Sequence, residues 1–323
     1  MLYPLTFLPI FKERIWGGRN LARLYGKELP GTGPIGESWE ISDRPGDESI
    51  IANGPLAGQT LRWLMQKHGG ELLGAMSPRP ERFPLLVKIL DAQEKLSLQV
   101  HPPADLAEAL GGEPKTEMWY VAEAGPNAEL FVGLKQGATR EEFEKKLTDQ
   151  TVADCFHRIK VKAGDAMFLP SGRVHALGAE NVIFEIQQNS DTTYRVFDWN
   201  RVDAKSGKPR DLHIAPSLAS IDFQDFEPSL LPAQYLSDGP SQHRPLVKDP
   251  LFHASVRKLN AGDPLRLPEG KMQILGMVEG RLRVVTSQAT EILDPGKFCL
   301  IPACCRNVML QAEGPATFLQ VQA

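Results

Sequence analysis

A short strand ending in two prolines carries polar side chains of types that bind metal ions. In LSLQVHPP, Leu96–Pro103, alternation along a strand places Ser97, Gln99 and His101 on one face and the apolar residues on the other. Three polar groups on one face of an otherwise apolar strand need hydrogen-bond partners or a ligand. The spacing of Gln99 and His101 lets both side chains reach one point in space.

Two further candidate ligands follow along the chain. Glu117 stands in KTEMWYV at the start of a predicted strand, and His175 ends the loop LPSGRVH. Imidazole nitrogen, carboxylate oxygen and amide oxygen together bind divalent ions such as Zn²⁺, and three protein ligands leave a position for water or substrate. The spacing from His101 to Glu117 to His175 matches no zinc-finger pattern. The residues alone therefore leave a metal site and ordinary structural roles both open.

The composition is that of a globular protein without strong electrostatic bias. The 323 residues are 42% hydrophobic and 24% charged, and the formal net charge is −4. No block of Lys and Arg favours nucleic acid or an anionic membrane, so we expect neither as a partner. No run approaches the ~18 apolar residues of a membrane span. The start of the chain, MLYPLTFLPIFKER, is predicted to be a first strand and not a signal peptide.

The cysteines indicate a reducing environment. None of Cys155, Cys299, Cys304 and Cys305 belongs to a paired C-x-x-C arrangement. We therefore predict free thiols, a cytoplasmic location and no disulfides.

Many short strands must position the candidate ligands. The chain contains 28 Gly and 26 Pro residues between short β-rich runs, which is typical of strands joined by tight turns. The predicted strands cover residues 83–90, 96–101, 118–124, 128–134, 165–170, 182–188 and 193–199. Helices are predicted at 60–69, with Thr60 as N-cap, and at 139–147, where Thr139 and Glu142 form a capping box. A third, short helix is predicted within 211–223.

A Pro-, Ser- and Gly-rich stretch divides the chain. Residues 227–245 are predicted to connect a first domain, residues 1–226, to a second β-rich domain, residues 246–323. A repeat supports two related units. Gly164 lies six residues before Pro170, and Gly296 lies six residues before Pro302. Equal spacing of a turn, a strand and a proline predicts two β-barrel units of the same kind.

Four longer motifs carry a family resemblance. LSLQVHP, KTEMWYV, LPSGRVHALG and QQNSDTTYRVFDWNR resemble the type I mannose-6-phosphate isomerases, a cupin family, in their short bacterial form. The likeness includes IWGGRNLARLYG and IGESWEIS and extends over roughly residues 5–215. It implies a mainly β fold, with two double-stranded β-helix (cupin or jelly-roll) units in tandem and a few inserted helices.

The resemblance also implies a ligand set and a reaction. It implies a zinc enzyme that interconverts D-mannose 6-phosphate and D-fructose 6-phosphate through an enediol, with one Zn²⁺ per chain. The implied metal ligands are Gln99, His101, Glu117 and His175, of which Gln99 is a direct ligand or a neighbour of one. The alternatives are a non-catalytic sugar-phosphate-binding cupin, or a cupin enzyme with another substrate or chemistry.

The resemblance implies catalytic groups on the last predicted strands. Moving a proton between adjacent carbons requires a base and a group that stabilises the developing oxyanion. Arg195 in TTYRVFDW resembles the family's catalytic arginine. Glu185 in VIFEIQQ, ten residues earlier, corresponds to a proposed family base, and Asp191 is the competing carboxylate.

The phosphate of the substrate requires cations and neutral donors. Lys115, Arg201 and Ser97 stand where family members place such groups, and the charge of Lys88 inside an apolar strand also indicates a pocket-facing residue. We predict a small sugar phosphate as the binding partner. We also predict a monomer or weak homodimer.

Overall fold

The fold consists mainly of antiparallel strands, in a computed structural model that describes residues 2–202 and 207–323. The strands up to residue 197 are β1 (Ile10–Gly18), β2 (Ile35–Ile41), β3 (Asp43–Arg44), β4 (Asp47–Glu48), β5 (Leu85–Ala92), β6 (Leu98–Val100), β7 (Glu117–Ala124), β8 (Glu129–Leu134), β9 (Phe156–Lys160), β10 (Ala166–Leu169), β11 (His175–Leu177), β12 (Asn181–Gln188) and β13 (Tyr194–Phe197). Each predicted strand is therefore present, with shifted ends.

The remainder of the chain forms a second set of strands. These are β14 (Leu236–Asp238), β15 (Ser241–Lys248), β16 (His253–Leu259), β17 (Leu265–Arg266), β18 (Gln273–Glu279), β19 (Leu282–Val285), β20 (Thr290–Leu293), β21 (Phe298–Ile301), β22 (Met309–Ala312) and β23 (Ala316–Gln322). Two of them, β14 and most of β15, lie within the predicted connector 227–245. The second set of strands thus begins inside that stretch, and the division into domains stays a prediction.

Few helices interrupt the strands. They are α1 (Asn20–Tyr25), α2 (Leu61–Leu73), α3 (Ala104–Ala107), α4 (Arg140–Thr148) and α5 (Ile214–Ser220). Thr60 and Thr139 are N-caps as predicted, because their side-chain oxygens accept the backbone N–H of Trp63 and Glu142 at 3.0 and 3.2 Å. The carboxylate of Glu142 pairs with Lys146, and the return bond of a capping box is not among the described contacts. No helix in the described part of the chain is long and apolar enough to cross a membrane.

Two units of the same topology follow one another. The first has a six-stranded sheet, β1-β2-β5-β12-β7-β10, and a five-stranded sheet, β13-β6-β11-β8-β9. The second has a six-stranded sheet, β14-β15-β16-β23-β18-β21, and a four-stranded sheet, β17-β22-β19-β20. Strands β5 to β12 correspond one by one to β16 to β23. The prediction of tandem cupin units is confirmed, and the repeated Gly and Pro bracket the equivalent edge strands β10 and β21.

The two units pack directly against each other. The ring centroids of Phe184 and Phe298 are 5.3 Å apart, within a hydrophobic cluster to which both units contribute. The N-terminal segment joins this contact, because Leu5 pairs with Leu300 as an isolated bridge. The prediction of a strand at the chain start was therefore wrong in extent. Prolines at positions 4 and 9 interrupt the pairing, and the first regular strand begins at Ile10.

Candidate active site

The candidate site lies between the two sheets of the first unit. Trp119 of β7, Ile183 of β12 and Leu177 of β11 pack together in the interior cluster. Side chains at even spacing from these residues share the inward faces of the same strands. In β6 and β13 the residues flanking Gln99 and Arg195 belong to a different cluster, on the outer side. The interior therefore receives the polar residues Gln99, Glu117, His175, Glu185 and Arg195.

Three groups suited to a metal ion converge there. Glu117 Oε2 lies 3.5 Å from His101 Nε2, and Glu117 Oε1 lies 3.3 Å from His175 Nε2. One ligand atom from each residue lies within 4.8 Å of the others, and all three residues are buried. The strands place them: His101 follows β6, Glu117 opens β7 and His175 opens β11.

The hydrogen bonds of the two histidines fix their ring orientation. His101 Nδ1 lies 2.8 Å from the carbonyl oxygen of Thr192, and His175 Nδ1 lies 2.9 Å from that of Arg173. A carbonyl only accepts, so each Nδ1 carries the proton and donates it. Each neutral ring then directs the lone pair of Nε2 towards Glu117. Nitrogen and oxygen acceptors facing one another repel, and a cation between them removes that repulsion.

The charge states of these groups suit a metal. Burial lowers the pKa of His101 to about 3 and also lowers the pKa of His175, so both rings are neutral at pH 7. Burial alone would raise the pKa of Glu117, but the charge of Lys115 holds it well below its usual range. Neutral imidazoles and an ionised carboxylate are the forms that coordinate a metal. The residues present fit a divalent ion.

Lys115 is the nearest cation to this cluster. Its Nζ lies 2.7 Å from Glu117 Oε2 and 3.3 Å from His101 Nε2. Even so, both Glu117 oxygens lack a partner with hydrogen-bond geometry among the described residues. Glu117 therefore keeps acceptor capacity that Lys115 does not use, as expected of a metal ligand.

Gln99 lies beside the cluster. Its amide nitrogen is 3.3 Å from His175 Nε2, and Gln99 pairs with His175 across β6 and β11. The amide N–H faces the same Nε2 lone pair that His175 would give to a metal, so Gln99 lies beside the coordination position. A direct ligand would present the amide oxygen instead.

We expect Gln99→Ala to reduce metal affinity or activity by about 10- to 100-fold, the effect of losing a group that orients a ligand. Metal content and turnover measure it, and Gln93→Ala, at an exposed position, is the control. Complete loss of metal from the Gln99 variant would instead make Gln99 a ligand.

A cavity of about 440 Å³ opens next to the cluster. Gln99, Lys115 and Trp119 line it, and each contacts one of the three candidate ligands. The other charged side chains of its wall are Glu13, Arg14, Glu37, Lys88, Glu185, Asp191, Arg195 and Arg210. A cavity of this size, rich in cations and acids, suits a small anionic, polyhydroxylated ligand.

Glu185 is a buried carboxylate in the cavity wall. Its Oε2 accepts the Trp119 Nε1–H at 2.8 Å, and Lys88 Nζ lies 3.3 Å from its Oε1. Burial, with a smaller contribution from the charge of Glu117, raises the pKa of Glu185. A raised pKa brings a carboxyl closer to the range in which it exchanges protons near neutral pH.

Arg195 lies opposite Gln99 in the strand pair β13–β6 and lines the same cavity. Its Nη1 donates to the carbonyl oxygen of Asp211 at 2.7 Å, and its buried Nε has no hydrogen-bond partner among the described residues. The guanidinium therefore retains donor capacity. Asp191, the competing carboxylate, lines the cavity from an exposed position.

Comparisons with known proteins agree with this geometry. The family model for the type I phosphomannose isomerase catalytic domain matches residues 5–139. Mannose-6-phosphate isomerase ManA of Bacillus subtilis is 36% identical over 309 residues, 93% of each chain. The chain belongs to the type I phosphomannose isomerase family. The mannose-6-phosphate isomerase of Streptococcus mutans is 34% identical over 304 residues, 94% of this chain and 93% of that one.

Solved structures show the same family likeness over the whole chain. The crystal structure of the mannose 6-phosphate isomerase from Bacillus subtilis superposes with a TM-score of 0.89 at 31% identity, covering 100% of both chains. Phosphomannose isomerases of this type are metal-dependent and have the cupin fold. The cluster of His101, Glu117 and His175 lies within that fold.

The structure does not bring every predicted phosphate-binding residue of this family member to the cavity. Arg201 pairs with Asp198, donates from Nη1 to the Lys95 carbonyl at 2.6 Å, and lines a separate surface depression with Trp199. Ser97 is buried ahead of β6 and is absent from the cavity wall, where Leu96 takes part instead. Arg201 therefore lies outside the cavity wall, because β13 ends at Phe197 and the chain turns before Arg201.

Other wall residues were not identified from the sequence. Trp119 and Arg14 gave no signal beyond strand periodicity. Arg210 follows a Pro in a loop whose path depends on tertiary packing, so no spacing rule relates it to Arg195. Lys88, in contrast, was indicated by its charge inside an apolar strand, and it does line the cavity.

The second unit of this chain has different groups at the matching positions. Gln273 opens β18 as Glu117 opens β7, and the register aligns Gln320 with Glu185. Gln320 donates to Gln273, forming a buried amide pair. Among the described residues, the metal-suited group of three lies in the first unit.

Proposed function

We propose that this chain is a metal-dependent aldose–ketose isomerase that interconverts D-mannose 6-phosphate and D-fructose 6-phosphate. The observation that carries the proposal is the set of buried acceptors, from His101, Glu117 and His175, beside a cavity lined by cations. The family membership supports the same reaction. We assign one Zn²⁺ per chain to this site, because two imidazoles and a carboxylate with an open position are a common catalytic zinc set.

The metal and Arg195 act on the charge that develops in the reaction. A bound divalent ion supplies a positive charge that favours an ionised sugar oxygen. Arg195 lies along the same wall and keeps its own charge under all conditions of catalysis. Its unused donor is available to an enediolate oxygen.

Glu185 is the proposed base that moves the proton between C1 and C2. Trp119 and Lys88 fix the position of its carboxylate. Lys88 is itself held by Glu37, whose Oε2 lies 3.8 Å from Lys88 Nζ. Burial alone would raise the pKa of Glu37, but Lys88 and Arg14 lower it to about 2, so Glu37 stays ionised and compensates the lysine. Glu185 is then free to gain and lose a proton.

We propose a cytoplasmic location and a monomer or weak homodimer as the working form. The four free cysteines support the reducing compartment. Neither nucleic acid nor a membrane is part of the proposed function.

The test is product analysis with purified protein. Mannose 6-phosphate should be converted to fructose 6-phosphate and back, the rate should fall to background after chelation, and Zn²⁺ should restore it. Other aldose phosphates serve as comparison substrates. Faster turnover of a different sugar phosphate would make that compound, and not mannose 6-phosphate, the proposed substrate. Binding of the sugar phosphate without turnover by the metal-loaded protein would favour a non-catalytic cupin.

A further inference from the structure

We propose that Arg210, positioned by Asp198, binds the phosphate group of the substrate. The inference rests on the proposed function and deepens it. It replaces Arg201, which the structure places outside the cavity, with a residue that lines it.

The cations near the metal cluster are already compensated. Arg14 Nε lies 2.6 Å from Glu37, Lys88 lies within 4.0 Å of two carboxylates, and Lys115 is 2.7 Å from Glu117. An anion that approaches these residues must compete with an existing ion pair. That end of the cavity therefore offers little unpaired positive charge to a phosphate.

Arg195 and Arg210 of the cavity wall, with Arg201 behind them on Asp198, carry a surplus of positive charge over the described carboxylates in contact with them. Arg195 has no carboxylate within 4.0 Å among the described residues, and its bond to Asp211 is to a backbone carbonyl. Asp198 is the single carboxylate that both Arg201 and Arg210 contact at short range. Arg195 and Arg210 line the same cavity, and burial, followed by the charge of Arg210, lowers the pKa of Arg195. Among the described residues, the carboxylates within 4.0 Å of these three guanidinium groups are Asp198, which contacts Arg201 and Arg210, and Glu94, which lies 3.9 Å from Arg201.

Asp198 holds Arg210 in a fixed plane. Arg210 donates from Nε to Oδ2 at 2.8 Å and from Nη2 to Oδ1 at 2.6 Å. This two-point contact leaves Nη1 outside the pair, so it can serve another anion. Arg201 contacts the same carboxylate but extends towards the Lys95 carbonyl and the separate depression. The two arginines therefore share an anchor and face different spaces.

The groups of the cavity wall fit the substrate. Gln99 touches the metal cluster, Arg195 pairs with Gln99 across the strands, and Arg210 lines the same cavity, held by Asp198. In a hexose 6-phosphate the reacting carbons C1 and C2 lie at one end of the carbon chain and the phosphate at the other. With C1 and C2 at the metal cluster, the phosphate lies away from the cluster, and we place it at Arg210.

The experiment compares Arg210→Ala with Arg201→Ala, a matched control that removes the other guanidinium from Asp198. For Arg210→Ala we expect the KM for mannose 6-phosphate, and the inhibition constant of inorganic phosphate, to rise by about 10- to 150-fold. The value of kcat should change much less, and metal content should stay at one ion per chain. Arg210→Lys should recover part of the affinity, since it restores charge without the planar fork. Arg201→Ala should stay within a few-fold of the unmodified enzyme.

Three results would overturn the inference. Unchanged phosphate inhibition in Arg210→Ala would show that the phosphate binds elsewhere, and an equal effect of Arg201→Ala would reduce both residues to support of the fold. A fall in kcat without a rise in KM would also exclude phosphate binding by Arg210. If the unmodified protein does not isomerise mannose 6-phosphate, the proposed function fails instead. Direct binding of inorganic phosphate to the unmodified protein and to Arg210→Ala then still tests the role of Arg210.

Discussion

Glu117→Gln should purify without bound metal and without isomerase activity. The substitution keeps the shape of the side chain but removes the negative charge that both histidines and Lys115 face. A neutral amide is a much weaker ligand for a divalent ion than a carboxylate, and a site with three protein ligands tolerates the loss of one poorly. We expect metal content near zero by elemental analysis, and activity at background even with added Zn²⁺.

The same substitution should also destabilise the fold. Lys115 is buried, and without Glu117 its ammonium has lost the carboxylate 2.7 Å away. Removal of one partner from a buried ion pair costs about 3–5 kcal/mol, which denaturant unfolding of the metal-free proteins can measure. Glu113→Gln, at an exposed carboxylate of the same segment, is the control and should change neither property. Full metal occupancy in Glu117→Gln would contradict the assignment of the site.

Glu185→Gln should keep its metal and lose most of its turnover. The amide oxygen can still accept the Trp119 N–H, so the side chain stays in place, but an amide cannot act as a base. We expect kcat to fall by about 10²- to 10⁴-fold, the contribution typical of general acid–base catalysis. Asp191→Asn is the matched variant, because Asp191 lines the same cavity from an exposed position. A large loss in Asp191→Asn and normal rates in Glu185→Gln would transfer the role of base to Asp191.

The pH dependence offers a second view of Glu185. A base must be ionised to accept a proton, and burial raises the pKa of Glu185 above its usual range. The kcat of the unmodified enzyme should therefore be low at pH values below the raised pKa of Glu185 and increase as the pH rises through it. The remaining activity of Glu185→Gln should lack this step.

Strand periodicity predicted which face of β6 carries Gln99, whereas the resemblance supplied Glu117 and His175. Alternation in LSLQVH places Gln99 on the inward face and Leu98 and Val100 in the outer cluster, as observed. This works because side-chain direction along a strand is a local property with a period of two. The spacing of the repeated Gly and Pro likewise predicted the equivalence of β10 and β21, since each marks the turns around one edge strand.

The same rule does not extend past the ends of the strands. The family resemblance placed Arg201 at the phosphate, but β13 stops at Phe197. Trp199 and Asn200 adopt positive φ values of 57° and 56°, a left-handed conformation that turns the chain away. Ser97 also lies outside the cavity wall, because β6 begins one residue later, at Leu98. The contact between Arg210, in a loop, and Asp198 depends on tertiary packing, which local residue spacing does not predict.

Titration of the metal-stripped protein with Zn²⁺ tests the central claim most directly, with isomerase activity and bound metal measured on the same samples. The account predicts that activity is absent without metal, rises in proportion to bound Zn²⁺, and reaches its maximum at one ion per chain. Equal activity in the metal-stripped and the Zn²⁺-loaded protein would contradict the account. A maximum at two ions per chain, with metal in the second unit, would also contradict it.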